Sequence, residues 1–470
     1  MGRFRSQTTI GLDIDRGSLK AVQLSGKAGG YTLQHVGYHR LPPGIVVDGE
    51  VADHDLLAAE MKEFWTSHSF KGKSVILGVS NQKVVVRMVD FPRMTPEDLK
   101  TAIGYEAQDH IPMPLDEAIM DYVVLGSAGE GSDLDRILIV AAQKEMVSRY
   151  SSAARAAGLR PVGVDVKALA LTRSVLPEDV QDEEGAVLIL DIGSELTNLI
   201  VYQGGSPVLT QFVPGGSLYF IQAVADAADI PEEEAEKQLM NPRVRLGYAL
   251  EAEGPQELPQ PGDYTRENPL EARTTSGDDT VDLGGDSTAL DGQDDDQYPP
   301  PANDGERQET PAPRSEEDST PEPEPREAEE RGPEAQGSDV HPGEHVDAEG
   351  TAAEGTAAEG AADDWDPALD FDVRRGLEDA VGLLAEDVQR SIEYHYSQPG
   401  ARELSQVYVT GEGALVAGID DYLSELLGIH TRRGHPLSRV ANNKSNVSDE
   451  QLKVMEPVLA VALGLAMEDE

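Results

Sequence analysis

The chain has 470 residues and a formal net charge of −49, so it can hold two or three domains and is too acidic to be a general binder of nucleic-acid phosphates. It contains no cysteine, which excludes disulfides, thiolate zinc sites and cysteine nucleophiles and is compatible with the cytoplasm. No apolar run approaches the roughly 18 residues of a membrane span, so we expect a cytoplasmic protein without direct membrane insertion.

A predicted β-hairpin near the amino end carries the first candidate site. The strand that contains Asp13 leads into a turn with Gly17 and Ser18, and a second apolar strand follows at 19–24. Glycine lets the backbone approach an anion, and the amides of such a turn can point at phosphate oxygens. Asp13 would then hold a hydrated Mg²⁺ beside those phosphates. Taken alone, the pattern is also that of an ordinary turn, which is the more frequent case.

The first half of the chain is assigned to residues 1–83 and 163–185. Its further predicted elements are, in order, a strand at 31–41, a helix from Asp53 to His68, a strand at 74–80, a strand at 161–165 and a helix at 168–176. Asp53 is a typical N-cap, and apolar residues such as Met61 and Trp65 recur at helical spacing. This helix is therefore expected to pack on the sheet.

Residues 84–162 are predicted to form an insert within the first half. Their pattern is strand, helix, strand, strand, helix, and Thr95 followed by Pro96 indicates the start of the first helix. The insert is expected to be a compact α+β unit.

The opening pattern returns in the second half, residues 186–242. The strand with Asp191, the turn with Gly193 and the strand that begins near Thr197 align with the first hairpin, strand for strand. Two halves with the same strand order predict a duplicated fold whose ligand lies in the cleft between them. The repeat also makes a chance occurrence of the first loop much less credible.

Residues 243–365 have a different composition from the rest of the chain. Between residues 251 and 370 there are 36 acidic residues against six arginines and no lysine. Such a segment cannot bury enough apolar surface to offset its ordering entropy. We expect a disordered acidic insertion, which serves as a solvated spacer.

The second half continues through residues 366–470. The predicted elements are a long amphipathic helix at 373–395, a strand at 406–410, a helix at 414–427 and a buried helix at 457–467. Gly411 and Gly413 lie between the strand and the helix that follows, where backbone can approach a nucleotide. Gly464 is expected to allow close helix packing.

These features together resemble the actin, Hsp70 and sugar-kinase superfamily and, more narrowly, the FtsA-like PilM family of type IV pilus assembly proteins. The narrower resemblance rests on short motifs, which are Leu41-Pro42-Pro43-Gly44, Asp48-Gly49-Glu50-Val51, Phe91-Pro92-Arg93-Met94, Glu106-Ala107, Ile111-Pro112, Asp121-Tyr122-Val123-Val124-Leu125, Gly158-Leu159 and Asp165. It implies an α/β, duplicated actin-like (ribonuclease H-like) ATPase fold, with the insert as an FtsA-type 1C subdomain.

The resemblance also implies ATP and Mg²⁺ as cofactors. The implied nucleotide contacts are Asp13, Gly17, Ser18, Lys20, Asp191, Gly193, Thr197, Glu236, Gly411 and Gly413. Asp13 and Asp191 would hold the metal, and Asp165 could orient water, so that these three are the candidate catalytic residues.

The implied partners are proteins of the inner membrane. A groove beside the insert would bind the cytoplasmic N-terminal peptide of a PilN-like bitopic membrane protein. Other components of the pilus assembly platform and self-association are further expectations. The chain would then be peripheral to the inner face of the membrane through protein partners.

Three departures from the family pattern favour nucleotide binding over fast hydrolysis, at most a slow ATPase. Glu412 stands where a second glycine is usual, Leu239 where a basic residue is usual, and Asp15-Arg16 where Gly-Ser is commoner. Two alternative functions stay open. One is a small-molecule, sugar-type kinase, although no stretch indicates a sugar pocket. The other is an FtsA-like cell-division protein, although the chain ends in acidic residues rather than a basic amphipathic helix.

Overall fold

The structure, a computed structural model, describes residues 9–467 except 28–29, 112, 130, 178–179, 181–184, 242–243 and 248–366. The acidic insertion predicted at 243–365 lies outside the described residues apart from residues 244–247.

The described residues form sixteen strands and ten α-helices. The strands are β1 (Thr9–Ile14), β2 (Ser18–Ser25), β3 (Tyr31–Arg40), β4 (Val46–Val47), β5 (Glu50–Val51), β6 (Ser74–Val79), β7 (Val84–Pro92), β8 (Ala118–Ser127), β9 (Leu134–Gln143), β10 (Arg160–Val166), β11 (Ala186–Ile192), β12 (Leu196–Gln203), β13 (Ser206–Pro214), β14 (Leu404–Thr410), β15 (Thr431–Arg433) and β16 (Val440–Asn443). The helices are α1 (His54–His68), α2 (Pro96–His110), α3 (Lys144–Ala156), α4 (Lys167–Val175), α5 (Ser217–Ala228), α6 (Glu232–Leu239), α7 (Pro367–Ser397), α8 (Ile419–Leu427), α9 (Asp449–Met455) and α10 (Ala460–Ala466).

Two large sheets repeat one arrangement of five strands. In the first sheet the order is β10-β6-β1-β2-β3-β16, and in the second it is β13-β12-β11-β14-β15. In each, three sequential strands form an antiparallel meander, one later strand pairs in parallel with the first of them, and a second later strand pairs in parallel with that one. The register places Asp13 opposite Lys20 and Asp191 opposite Asn198. The duplication predicted from the two hairpins is therefore confirmed.

Helices cover the first sheet as the apolar spacing predicted. The Asp53 carboxylate caps α1 by accepting the Leu56 amide at 2.9 Å, and α1 buries Met61 and Phe64. Helix α3 buries Met146 and Tyr150 in the same core. The sequence assigned α3 to the insert, whereas its packing places it in the first half.

The insert consists of a three-stranded sheet with one helix on it. The strand order is β7-β9-β8, and α2 covers one face, where Phe91, Ile103, Ile137 and Ile139 are buried. Strand β8 lies at the edge of this sheet, since it pairs with β9 alone among the described strands. The insert therefore keeps one sheet face that α2 does not cover.

The second half is held together by its longest helix. Helix α7 packs on α5, and a Cβ at Gly376 would come within 2.6 Å of the Ala223 carbonyl oxygen. Leu377, Val381 and Val388 are buried in this core. The long amphipathic helix predicted here is confirmed.

The end of the chain returns to the first half. Strand β16 pairs with β3, and every residue of α10 is buried. The sequence predicted helices at 414–427 and 457–467, but each begins with a short 3₁₀ turn, at Glu412–Leu415 and Pro457–Leu459. Gly418, at φ +78° in the left-handed region, separates the first turn from α8. Among the described helices, none combines the length and the apolar character that a membrane span needs.

Candidate functional site

The two hairpins meet at a small polar cavity between the halves of the chain. Its volume is about 40 Å³, and its described lining includes Asp13, Lys20, Asp191, Gly411 and Glu412. A single water needs roughly 10–15 Å³ by this measure, so the cavity holds a few waters. The sequence therefore predicted the location of the cleft, and its walls are close together.

Asp13 lies between two ammonium groups. Its side chain is 2% exposed, with the Lys167 Nζ at 2.7 Å from Oδ1 and the Lys20 Nζ at 3.7 Å from Oδ2. Lys167 Nζ also donates to the Ile14 carbonyl oxygen at 2.9 Å, which anchors the ammonium beside Asp13. Burial alone would lower the pKa of both lysines, but the surrounding carboxylates outweigh it and raise the pKa of each. Asp13 is thus neutralised by protein cations.

Lys20 joins Asp13 to two further carboxylates. Its Nζ lies 3.6 Å from Asp15 Oδ2 and 3.3 Å from Glu412 Oε1. Burial would raise the pKa of Asp15, yet Lys167 and Lys20 outweigh it and lower that pKa to about 2. Asp15 is therefore ionised throughout the physiological range.

Glu412 receives hydrogen bonds from both halves of the chain. Ser18, in the first hairpin, donates its hydroxyl to Oε1 at 3.1 Å, and Ser217, at the start of α5, donates to Oε2 at 3.1 Å. Gly411 precedes it at φ +86°, and a Cβ there would lie 2.5 Å from the Ile192 carbonyl oxygen. This glycine is needed for the close approach of the turn to β11.

Asp191 is held by uncharged hydrogen-bond donors. Asn198 donates its side-chain amide to Asp191 Oδ2 at 2.8 Å, and Ser80 donates to Asn198 Oδ1 at 2.7 Å. Burial, followed by the charge of Asp13, raises the pKa of Asp191 to about 6.

The other predicted residues of the loops shape the backbone around the cavity. Thr197 donates its hydroxyl to the Gly215 carbonyl oxygen at 2.8 Å, and the Gly193 amide donates to the Leu196 carbonyl oxygen at 3.1 Å. A Cβ at Gly413 would lie 2.3 Å from Ile192 Cγ2, whereas a Cβ at Gly17 would only touch Ser194, at 3.9 Å. Thr197, Gly193 and Gly413 thus have structural roles in this arrangement.

Two predicted site residues form ion pairs of their own. Asp165 pairs with Arg173 and does not belong to the described lining of the cavity. Glu236, on α6, pairs with Arg40, at the end of β3, and is likewise not part of that lining. The Arg40 pair is a contact between the two halves, as is an ion pair of Arg16 with Glu195.

Four residues of the site were missed by the sequence reasoning, namely Lys167, Ser80, Asn198 and Ser217. Lys167 offered one signal, because a cation at the first position of a helix opposes the helix dipole. Such a residue needs a nearby anion, and Asp13 supplies it.

The residues present do not fit Mg-ATP in this arrangement. Lys167 and Lys20 already neutralise the carboxylate that would bind the metal, and Glu412 already accepts hydrogen bonds from Ser18 and Ser217. Within the described part of the chain, no three carboxylate or imidazole groups gather as a metal site.

Comparison with known proteins gives a family match over most of the chain. The family model of the type IV pilus assembly protein PilM matches residues 11–252 and 361–470. The solved PilM-PilN type IV pilus biogenesis complex is similar at 21% identity and a TM-score of 0.62, with 98% of both chains covered. This likeness and the duplicated sheets show the actin-like ATPase fold that the sequence predicted.

Two other solved structures are more distant. The ethanolamine utilization protein EutJ from Carboxydothermus hydrogenoformans is 12% identical, with a TM-score of 0.44 and coverage of 97% of this chain and 88% of that one. MreB5 of Spiroplasma citri bound to ADP is 11% identical, with a TM-score of 0.43 and coverage of 98% and 95%.

Proposed function

Because this chain belongs to the family of the type IV pilus assembly protein PilM, we propose that it is an actin-like scaffold of a type IV pilus assembly platform that binds a PilN-like protein. Its ligand would be the cytoplasmic N-terminal segment of that bitopic membrane protein, which would hold the scaffold at the inner face of the membrane. The match of the family model across both halves and the insert carries this proposal. The solved complex of PilM with PilN supports the choice of partner.

The exposed β8 edge of the insert, on the sheet face opposite α2, is suited to such a peptide. On β8 the side chains of Ile119 and Val123 point away from α2 and are 46% and 56% exposed. Beside them, Val86 and Leu138 continue into the core of the first half. An apolar strip on an edge strand, bordered by a second body, can take an extended segment by strand addition and side-chain contacts. We expect the peptide to bind along β8.

The test is a titration of the purified full-length protein into a fluorescent synthetic peptide. The peptide has the sequence of the cytoplasmic N-terminus of a PilN-like protein from the same organism. Val123→Asp should weaken binding at least tenfold, because it places a charge in the apolar strip. Val454→Asp is the matched control, since Val454 is 68% exposed on α9, away from the insert.

Two results would contradict the proposal. One is that the fluorescence polarisation of this peptide rises no more on titration than that of a scrambled peptide. The other is equal weakening by the two valine substitutions, which would indicate a general effect of added charge on an acidic protein.

The scaffold role needs no turnover. ATP, Mg²⁺ and a slow ATPase activity remain predictions of the resemblance, and the contacts of Asp13 and Glu412 do not favour them. Binding to other platform components and self-association also remain predictions.

A further inference from the structure

We propose that the cleft of this chain is held together by its own side chains, with the Glu412 carboxylate in the place of a nucleotide phosphate and the Lys167 ammonium in the place of the metal. The scaffold would then keep its two halves joined without a nucleotide. This inference goes beyond the proposed function, which concerns the insert and its peptide.

The anion side of the argument rests on what surrounds Glu412. Ser18, Lys20 and Ser217 offer two hydroxyl donors and an ammonium, which are the groups that proteins use to hold a phosphate. All three contact this carboxylate, at 3.1, 3.3 and 3.1 Å, and Glu412 is the carboxylate nearest to Lys20 Nζ. An incoming phosphate would have to displace a carboxylate that is already paired and hydrogen-bonded.

The cation side rests on Asp13. A metal between this carboxylate and a phosphate would serve to cancel repulsion between two anions. Lys167 Nζ already lies 2.7 Å from Oδ1, and it is anchored by the Ile14 carbonyl oxygen at 2.9 Å. Separating the members of such a buried pair leaves an uncompensated charge, so the folded protein keeps Lys167 beside Asp13.

These contacts join the halves of the chain. Ser18 and Lys20 belong to β2 of the first half, while Glu412 and Ser217 belong to the second. Ser80 and Asn198 add a second polar link across the cleft at 2.7 Å. A set of side chains therefore bridges the two halves directly.

The net charge of the cavity lining also disfavours a nucleotide. Its described lining contains five carboxylates, which are Asp13, Asp15, Asp191, Glu195 and Glu412, against Arg16, Lys20 and Lys167. A polyphosphate would add negative charge to a lining that already has an excess of it.

Calorimetric titration of ATP into the full-length protein, with Mg²⁺ and separately with EDTA, tests the proposal. The wild type should show no binding at about 1 mM ATP, so its Kd for ATP should exceed about 1 mM. Glu412→Gly should gain ATP affinity of at least tenfold, and Glu412→Gln should gain less, because its amide keeps the volume and removes only the charge. In Glu412→Gly the affinity should be the same with Mg²⁺ and with EDTA, since Lys167 still pairs with Asp13.

Adding Lys167→Gln to Glu412→Gly should create a dependence on Mg²⁺, because it removes the nearer of the two cations beside Asp13. Peptide binding and the unfolding midpoint of each variant show that it is folded and keep this test separate from that of the scaffold function. Micromolar binding of Mg-ATP by the wild type would overturn the proposal. So would a folded Glu412→Gly variant that binds the peptide but gains no affinity for ATP.

Discussion

At the scale of single residues, Asp191 predicts how stability depends on pH. Its pKa is about 6 in the folded protein against 3.8 as the ordinary value, because it is buried and lies near Asp13. Between pH 3.8 and 6 the folded state therefore keeps this proton, whereas the unfolded state has mostly lost it. The resulting contribution to stability is fully present below pH 3.8 and is lost as the pH rises through 6.

Asp191→Asn should remove that dependence. We expect the variant to be more stable than the wild type by about 3 kcal/mol at pH 8, since the pKa rises from 3.8 to about 6 and each pKa unit corresponds to about 1.4 kcal/mol. The difference should shrink towards zero at pH 4.5, and the amide oxygen can still accept from Asn198. Urea unfolding at pH 8, 6 and 4.5 measures it. The exposed carboxylate of Asp116 gives the control variant Asp116→Asn, and a pH-independent difference for Asp191→Asn would contradict the assignment.

The residues of the site show what one sequence can and cannot indicate. Asp13, Lys20 and Asp191 follow from local pattern, because a hairpin repeats and each carboxylate lies at the same strand position. Lys167 reaches Asp13 across 154 positions of sequence, and no local pattern records that pairing. Asp165 was expected in the cleft because it lies on the returning strand. Its charge is instead paired with that of Arg173, on the helix that follows this strand.

At the scale of elements, α10 predicts a strict requirement for glycine. A Cβ at Gly464 would lie 1.9 Å from the Ala170 carbonyl oxygen, so α4 and α10 cannot keep their spacing with any larger residue. We expect Gly464→Ala to lower the free energy of unfolding by about 2–3 kcal/mol, as overpacked cores do.

A second helical glycine provides the matched control. Nothing lies within 4 Å of a Cβ built at Gly382 on α7, so Gly382→Ala should raise the free energy of unfolding by about 0.5–1 kcal/mol through helix propensity and chain entropy. Urea unfolding of both variants is the measurement. Equal effects of the two substitutions would show that the α4 to α10 spacing adjusts freely.

The elements themselves were predicted from periodicity, but their packing partners were not. Helix α3 has a clear apolar stripe, yet the stripe does not tell whether it packs on the insert or on the first sheet. Strands β15 and β16 have three and four residues, too few to give a period. Local pattern thus identifies long elements, while tertiary contacts decide where they lie.

At the scale of the whole molecule, the end of the described chain packs against its beginning. The hairpin repeat predicted two equivalent halves, and the structure shows that the last described residues complete the first of them. Helix α10 packs on β1, β2 and α4, and β16 pairs with β3. The first half thus depends on segments from both ends of the described chain, and the second half combines segments before and after residues 248–366, so neither half is a continuous piece of sequence.

This interleaving predicts a single cooperative unfolding transition. Trp65 is buried in the first half, where its indole N–H donates to the Gly72 carbonyl oxygen at 2.8 Å, and the other tryptophan, Trp365, lies outside the described residues. In Trp365→Phe, fluorescence therefore reports the first half, whereas far-UV circular dichroism reports both. We expect the two signals to give the same urea midpoint.

Gly464→Ala in the same background sharpens this test. Because α10 contributes to the first half and the polar links of the cleft join that half to the second, the fluorescence and dichroism midpoints should fall together. A dichroism curve in two steps, with only the step that matches Trp65 displaced, would contradict the prediction. It would mean that the second half is stable by itself, and that the contacts of Glu412 and Asn198 across the cleft couple the two halves too weakly for them to unfold as one unit.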